Sequence, residues 1–297
     1  MSSLTQIQKI KKSVTFLYTK TTDQNYEVIG TGFFIGVNII KDVSEVYCVT
    51  AKHVLIKGNN NKFDQIYFRL NMKNGKSEYV PISLTGYSKL FTHNDTDVDI
   101  ALFRCTPNPT IYDYSYLHEE IIPTNDHLSE RHVAEGTLVG MVGLFNPYVG
   151  NQQDQPFFRY GRISLIPTEK VPIYEENEAS EKLINAYFCE FLSFSGNSGS
   201  PTFFIFERVD DKGRIRSDEP DVFLGGIVKG HYPDIIKQGL MESKKGIYYQ
   251  LNAGISIVTP SYILKEILYN EQLTTDRKLI YEKLTDNTLD KYHLDTQ

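Results

Sequence analysis

The chain has 297 residues and a formal net charge of −6, so it has no basic excess of the kind that attracts nucleic acid. It contains 20 Tyr and 17 Phe but no Trp, and its apolar runs are short and separated by turn residues. This pattern favours β-strands over long helices. No run approaches the roughly 18 apolar residues of a membrane-spanning helix, so we expect neither a nucleic-acid nor a membrane partner.

The predicted strands fall into two halves, joined by a Pro- and Tyr-containing segment at 106–126. Strands of the first half are predicted at 14–18, 26–37, 43–51, 65–70, 79–84 and 100–105. Strands of the second half are predicted at 137–145, 157–166, 186–192, 201–206, 222–230 and 247–258. The order of these elements predicts an all-β protein.

A helix is predicted at the end of the second half. It begins at Pro260 and runs to Tyr269, and its apolar residues have helical spacing: Ile263, Leu264, Ile267 and Leu268. The remaining residues, 270–297, are charged and carry leucines at loosely helical intervals. We expect this tail either to pack on the strands or to contact another protein.

The segment 196–201, Gly-Asn-Ser-Gly-Ser-Pro, places Ser198 in a turn of small residues between two predicted strands. Such a turn can present the hydroxyl outward and point backbone N–H groups at a substrate carbonyl. A serine nucleophile needs a base, and the base needs a group that orients it. The sequence therefore predicts two partners for Ser198.

His53 is the candidate base, since it follows the apolar strand that ends at Ala51. Asp99 is the candidate orienting group, since it directly precedes the apolar strand at 100–105; the nearby His93, Asp95 and Asp97 lack that placement. The order His, Asp, Ser has separations of 46 and 99 residues. The Ser-His-Asp template of chymotrypsin has the same order, with separations of roughly 45 and 93.

Three blocks carry a family resemblance: Thr-Ala-Lys-His at 50–53, Asp-Ile-Ala-Leu at 99–102 and Gly-Asn-Ser-Gly-Ser-Pro at 196–201. Together they resemble the signatures of trypsin-like serine proteases, and more narrowly those of the bacterial Deg-type branch, which is not made as a zymogen. The resemblance implies two six-stranded antiparallel β-barrels with a C-terminal helix, as in chymotrypsin. We expect an N-terminal extension at 1–12, barrels at 13–120 and 121–260, and a helix and tail at 261–297.

The resemblance also implies a mechanism: a serine endopeptidase that cleaves a polypeptide through an acyl-enzyme. His53, Asp99 and Ser198 would form the triad in the crevice between the barrels. The loop Gly196, Asn197 and Ser198 would form the oxyanion hole, with the N–H groups of Gly196 and Ser198 as donors. Zymogen relatives carry Asp at the position of Asn197, so we expect that no N-terminal cleavage is needed; control by a regulatory protein partner stays open.

The residues of the substrate pocket are also implied by the resemblance. Leu192 would form its floor, which favours an uncharged, medium-sized residue before the scissile bond. Substrate backbone would pair with the strand residues Val228, Lys229, Gly230 and His231. Lys229 and His231 are equally well read as ordinary surface residues. The far wall would be 254–256, although 246–248 matches that motif almost as well.

Other functions are less well supported. The nucleophile elbow of α/β-hydrolases needs Gly-x-Ser-x-Gly followed by a helix, but here Ser200 replaces the last glycine and a strand follows. The seven histidines show no metal-ligand spacing, so we expect neither a metal nor a cofactor. A catalytically idle, protease-shaped binding module remains the alternative.

The three cysteines, Cys48, Cys105 and Cys189, lie in apolar predicted strands and form no Cys-x-x-Cys motif. We expect them to be buried and reduced. The first residues lack the continuous apolar segment of a secretory signal. Both observations favour a cytoplasmic protein.

Overall fold

We analysed a computed structural model of the protein, which describes residues 5–41, 43–57, 61–173, 182–209, 212–237 and 248–285. The chain begins with helix α1 (Gln6–Lys12), whose N-terminus has a capping box between Thr5 and Gln8. Ile10 is the buried residue of this helix, so the helix is packed on the strands that follow.

The first half forms an antiparallel sheet in the order β7-β6-β1-β2-β3-β9-β8, and the short β10 pairs in parallel with β2. Its strands are β1 (Val14–Lys20), β2 (Tyr26–Ile40), β3 (Val43–Thr50), β6 (Gln65–Asn71), β7 (Ser77–Ser83), β8 (Phe91–Thr92), β9 (Ala101–Arg104) and β10 (Leu117–His118). Helix α2 (Lys52–Leu55) and a small hairpin of β4 (Ile56–Lys57) and β5 (Asn61–Lys62) lie between β3 and β6.

The second half forms a closed barrel in the order β11-β12-β15-β18-β17-β16. Its strands are β11 (Leu138–Gly143), β12 (Phe157–Leu165), β15 (Tyr187–Glu190), β16 (Pro201–Val209), β17 (Ile215–Lys237) and β18 (Tyr248–Pro260). A separate hairpin of β13 (Val171–Ile173) and β14 (Lys182–Ile184) precedes β15, and helix α3 (Asn125–Glu130) precedes the barrel.

Successive side chains of β2 point to opposite faces of the sheet, and each face packs into a different hydrophobic core. This explains why the strand is apolar over most of its length. Phe34 belongs to a core inside the first sheet together with Phe68 and Phe103. Phe33 belongs to a second core, which also takes Phe203 from the barrel and residues of the C-terminal helices. One continuous core therefore joins the two halves.

The chain ends in two helices, α4 (Ser261–Leu268) and α5 (Glu271–Thr285). Helix α4 follows β18 directly and buries Ile263, Leu264, Ile267 and Leu268, as the sequence pattern predicts. Helix α5 returns to the first sheet, where Arg277 donates a hydrogen bond to Tyr47 over 2.8 Å and Asp276 binds Arg104 over 2.6 Å. The tail residues 271–285 thus pack on the strands.

The chymotrypsin-like arrangement of two β-units with a C-terminal helix is confirmed, with one difference in the first unit. A six-stranded barrel was expected there, but the described ladder has eight strands and ends openly at β7 and β8. Since β8 has only two residues and pairs with β9, it does not reach β7. None of the described helices combines the length and hydropathy needed to cross a membrane.

Candidate active site

The three candidate catalytic residues lie where the two halves meet. His53 is in α2, directly after β3, and Asp99 lies just before β9, the neighbour of β3 in the sheet. Ser198 lies in the turn between β15 and β16 of the barrel. The backbone of this turn packs on the first sheet, because a Cβ at Gly199 would overlap Thr50 and come within 3.0 Å of the Ala51 nitrogen.

His53 and Asp99 are joined by two hydrogen bonds. The imidazole Nδ1 lies 2.7 Å from Asp99 Oδ2, and the backbone N–H of His53 donates to Asp99 Oδ1 over 2.9 Å. The Asp99 side chain is 5% exposed, whereas that of His53 is 41% exposed. The carboxylate therefore holds a ring whose other edge faces the surface.

Burial by itself raises the pKa of Asp99, but the positive charges of His53 and Lys229 and the hydrogen bonds from His53 outweigh it. As a result the pKa of Asp99 lies well below its ordinary value. The carboxyl group is thus ionised at neutral pH. In this form it can accept a hydrogen bond from an imidazole N–H.

The Ser198 hydroxyl donates to the backbone carbonyl of Lys229 over 2.9 Å. Among the described residues this carbonyl is its only hydrogen-bond partner, so the hydroxyl is not bonded to His53 in this conformation. The same residue, Lys229, places its ammonium 3.1 Å from Asp99 Oδ2. Sequence reasoning missed this contact, because nothing about a lysine within a predicted strand indicates which carboxylate it meets.

The turn that carries Ser198 needs glycine on both sides. Gly196 and Gly199 have φ angles of +91° and +88°, which non-glycine residues rarely adopt. Backbone hydrogen bonds fix the turn to β17: Gly199 donates to Val228 over 2.8 Å, and Val228 donates to Ser200 over 2.9 Å. The position of Ser198 is therefore set by the strand that also carries Lys229.

Asn197 holds the same turn from inside. Its side-chain oxygen accepts from the Phe194 N–H over 2.8 Å, and its amide nitrogen donates to the carbonyl of Leu144. The side chain is buried, at 1% exposure. Thr31 of β2 adds a hydrogen bond from its hydroxyl to the Gly196 carbonyl over 2.6 Å. Sequence reasoning did not find Thr31, which lies 165 residues away.

The backbone donors of the expected oxyanion hole differ from one another. The Asn197 N–H donates to the Phe194 carbonyl over 2.9 Å, so it is already hydrogen-bonded within the turn. In the described part of the chain, the N–H groups of Gly196 and Ser198 have no acceptor. These two N–H groups are the ones that the sequence predicts as oxyanion donors.

The residues expected around the substrate pocket lie on neighbouring segments. Leu192 is 48% exposed and lies near Gly254. A Cβ atom added to Gly254 would lie 3.9 Å from the Leu192 side chain. Ser256 donates to the Phe191 carbonyl over 2.9 Å, so 254–256 lies beside 191–192. Of the competing segment 246–248, residues 246 and 247 fall outside the described residues.

Aromatic residues extend this region. The guanidinium of Arg159 lies 4.8 Å from the centre of the Phe194 ring and donates to the Leu192 carbonyl over 3.0 Å. The centre of the Phe145 ring lies 5.4 Å from the same guanidinium. Sequence reasoning named none of these three residues, because each contributes through a contact between distant strands.

The strand residues expected to pair with substrate have separate environments. Val228 is fully buried, whereas a Cβ at Gly230 would meet nothing within 4 Å, so the chain opens to the surface there. His231 pairs through its backbone with Ser256; its side chain falls outside the described residues. The backbone here therefore pairs with β18 at Gly230 and His231 and meets the Ser198 hydroxyl at the Lys229 carbonyl.

Neighbouring acidic and basic residues have other partners. His93 binds Glu266 over 2.9 Å, and Asp95 lies 3.5 Å from Lys170. The three cysteines are free and buried, as expected, and burial raises the pKa of the Cys189 thiol to about 12. Among the described residues, His, Cys, Asp and Glu form no group of three suited to a metal ion.

No protein-family model matches the sequence, and no curated protein does. Solved structures that are similar in fold include three proteases. The Rv3671c protease of M. tuberculosis in its active form has 14% identity over 88% of this chain and 82% of that chain, with a TM-score of 0.47. The protease Anisep of Arthrobacter nicotinovorans has 13% identity over 86% of this chain and 94% of that chain, with a TM-score of 0.44. The thermostable serine protease AL20 of an extremophilic microorganism has 13% identity over 89% of this chain and 98% of that chain, with a TM-score of 0.47.

Proposed function

We propose that the protein is a serine endopeptidase in which His53, Asp99 and Ser198 act as one proton-transfer chain. The observation that carries the proposal is the doubly bonded His53–Asp99 pair beside a serine held on a glycine-flanked turn. A buried, ionised carboxylate that orients an imidazole next to a serine hydroxyl is the arrangement that activates serine for acyl transfer.

The proposed reaction begins when the Ser198 hydroxyl turns from the Lys229 carbonyl toward His53. The other ring nitrogen of His53, Nε2, then takes the hydroxyl proton as Oγ attacks the peptide carbonyl. Asp99 keeps the Nδ1 proton in place and stabilises the imidazolium. The imidazolium gives its proton to the leaving amine, and water hydrolyses the acyl-enzyme by the same route.

The oxyanion would be bound by the N–H groups of Gly196 and Ser198. Removing one such donor typically costs ~2.7–4 kcal/mol of transition-state stabilisation, so the shape of the turn matters as much as the triad. Asn197 and Thr31 maintain that shape through hydrogen bonds within the folded chain. We therefore propose that activity needs no cleavage of the N-terminus.

The proposed substrate is a polypeptide with an uncharged residue before the scissile bond. Leu192 offers an apolar floor, and the rings of Phe145 and Phe194 lie close by. The extended backbone from Lys229 to His231 would pair with the substrate strand. These features support an apolar or neutral pocket and disfavour Lys or Arg at that position.

The test is reaction of the protein with a fluorophosphonate probe and hydrolysis of a peptide library. We expect labelling at Ser198 and cleavage after neutral residues, and we expect both to be lost in Ser198→Ala with unchanged thermal unfolding. A catalytically idle binding module is the second candidate, favoured by the hydroxyl that bonds Lys229 instead of His53. Absence of labelling in a folded wild-type protein would support that module and overturn the protease.

A further inference from the structure

Lys229 is placed beside the triad by an irregularity in β17. The pairing of β17 with β18 shifts register between Val228 and Gly230, so Lys229 lies at a bulge. Bulges re-aim side chains and are frequent next to active sites. Here the bulged residue points its carbonyl to Ser198 and its side chain to Asp99.

The Lys229 side chain is nearly buried where it meets Asp99. It is 10% exposed, the carboxylate is 5% exposed, and the ammonium lies 3.1 Å from Oδ2. Lysine is rarely buried without a partner, because removing the ammonium from water is costly. The contact is therefore a built feature of the site and differs from a loose surface ion pair.

The ammonium shares one oxygen with the imidazole. Oδ2 of Asp99 lies 2.7 Å from His53 Nδ1 and 3.1 Å from Lys229 Nζ, while Oδ1 accepts the His53 backbone N–H. Two cationic groups would thus meet at a single carboxylate oxygen once the imidazole takes up a proton. A fixed positive charge at that point disfavours the second one.

We infer that Lys229 is a positioning residue: its ammonium fixes the Asp99 carboxylate and, from the same carboxylate oxygen, repels the positive charge that His53 gains when it takes up a proton. The inference rests on the proposed function. It assigns a role to a side chain that touches neither the substrate nor the reacting atoms.

Other charged groups lie on the elements around Asp99. The ammonium of Lys52 in α2 donates a hydrogen bond to the Thr96 carbonyl. Asp95, Asp97 and Lys170 line a small pocket together with Asp99, and Lys170 lies 3.5 Å from Asp95. Lys170 is 46% exposed, so its charge is screened by water far more than that of Lys229.

The test compares kcat/KM against pH for the wild type, Lys229→Met, Lys229→Arg and Lys170→Met. In Lys229→Met we expect the acid limb to move up by about one pH unit, so that activity below the limb falls roughly tenfold. KM is expected to change less than kcat. Lys229→Arg keeps the positive charge, so its acid limb is expected at the wild-type pH. Lys170→Met removes an exposed lysine and is also expected to leave the acid limb at the wild-type pH.

Two results would overturn the inference: an acid limb of Lys229→Met that coincides with the wild type, or equal shifts in the Met and Arg variants. Thermal unfolding checks that each variant is folded, and Lys229→Gln replaces Lys229→Met if that variant is not. NMR titration of the His53 ring is a readout that needs no turnover. We expect its midpoint to rise in Lys229→Met.

The two proposals can fail separately. If the wild type neither reacts with a fluorophosphonate nor cleaves peptides while the NMR midpoint still moves, the protease function fails and the charge coupling remains. If the wild type cleaves peptides through Ser198 and the midpoint does not move, only the role of Lys229 fails.

Discussion

Arg69 of β6 and Asp154 form an ion pair of 2.8 Å that joins the first sheet to the segment between β11 and β12. Both side chains are less than a tenth exposed. Arg69 also donates to the carbonyls of Gly150 and Asn151, each over 2.9 Å. The same segment begins at Leu144, whose carbonyl accepts a hydrogen bond from the Asn197 amide, so it connects the first sheet to the turn that carries Ser198.

Because Asp154 is buried, we expect the free energy of unfolding to fall as pH rises. Burial raises the pKa of Asp154 to about 7, although Arg69 acts in the opposite direction. A carboxyl whose folded pKa exceeds its unfolded pKa of about 3.9 contributes stability that is complete below pH ~4 and is lost as pH rises through about 7. The effect is on the order of a few kcal/mol.

Urea unfolding at pH 5 and pH 8 measures this effect. The free energy of unfolding of the wild type is expected to fall between these pH values by ~2 kcal/mol more than that of Asp154→Asn, which cannot ionise. Parallel pH dependence in the two proteins would mean that Asp154 does not titrate in this range.

Gly199→Ala is expected to destroy the site, because its Cβ would overlap the Thr31 carbonyl and the Thr50 hydroxyl. Gly75→Ala is the matched control: its φ is +85°, close to the +88° of Gly199, and nothing lies within 4 Å. The control should lose about 1–2 kcal/mol of unfolding free energy, from backbone strain alone. Gly199→Ala should lose clearly more, together with fluorophosphonate labelling; equal losses would contradict the packing.

Asn197→Ala is expected to lower kcat roughly 10- to 100-fold, because the turn loses two hydrogen bonds and the oxyanion donors move. The Leu144 carbonyl and the Phe194 N–H would also be left without their partner. Asn74→Ala, at an exposed turn, is the control and should leave kcat unchanged. Steady-state kinetics on one peptide substrate decide the matter, and an unchanged kcat in Asn197→Ala would show that the turn is ordered by other contacts.

Leu192→Asp is expected to admit Lys or Arg before the scissile bond, since a carboxylate on the pocket floor would bind a basic side chain. Leu165→Asp adds the same charge at a residue that is also 48% exposed, but on β12. Peptide-library profiles of the two variants provide the comparison. If Leu165→Asp changes the preference as much as Leu192→Asp, net charge and not the pocket sets it.

Arg277→Met is expected to lower the free energy of unfolding by about 3 kcal/mol, since a buried charge network loses one member. Arg277 donates to Tyr47 over 2.8 Å and lies 4.0 Å from Glu45, which pairs with Arg104 over 2.7 Å. Lys278→Met removes the exposed neighbouring charge and should have an effect near zero. Urea unfolding compares them; similar values would mean that α5 adds little to the first sheet.

Sequence reasoning placed most strands within a few residues, because alternation and apolar runs mark them locally. It also brought His53 and Asp99 into the same site, and the structure joins them by hydrogen bonds. The two-residue strands β8 and β10 have no such pattern. The Lys229–Asp99 contact depends on a register shift between β17 and β18, and a shift of that kind leaves no signature in the residues themselves.

Helix α5 supplies side chains that bind residues of the first sheet, although the helix is synthesised after every strand of the barrel. On the ribosome, the network around Glu45 and Arg104 stays incomplete until Asp276 and Arg277 have been synthesised. A nascent chain that already contains Ser198 would therefore lack full stability.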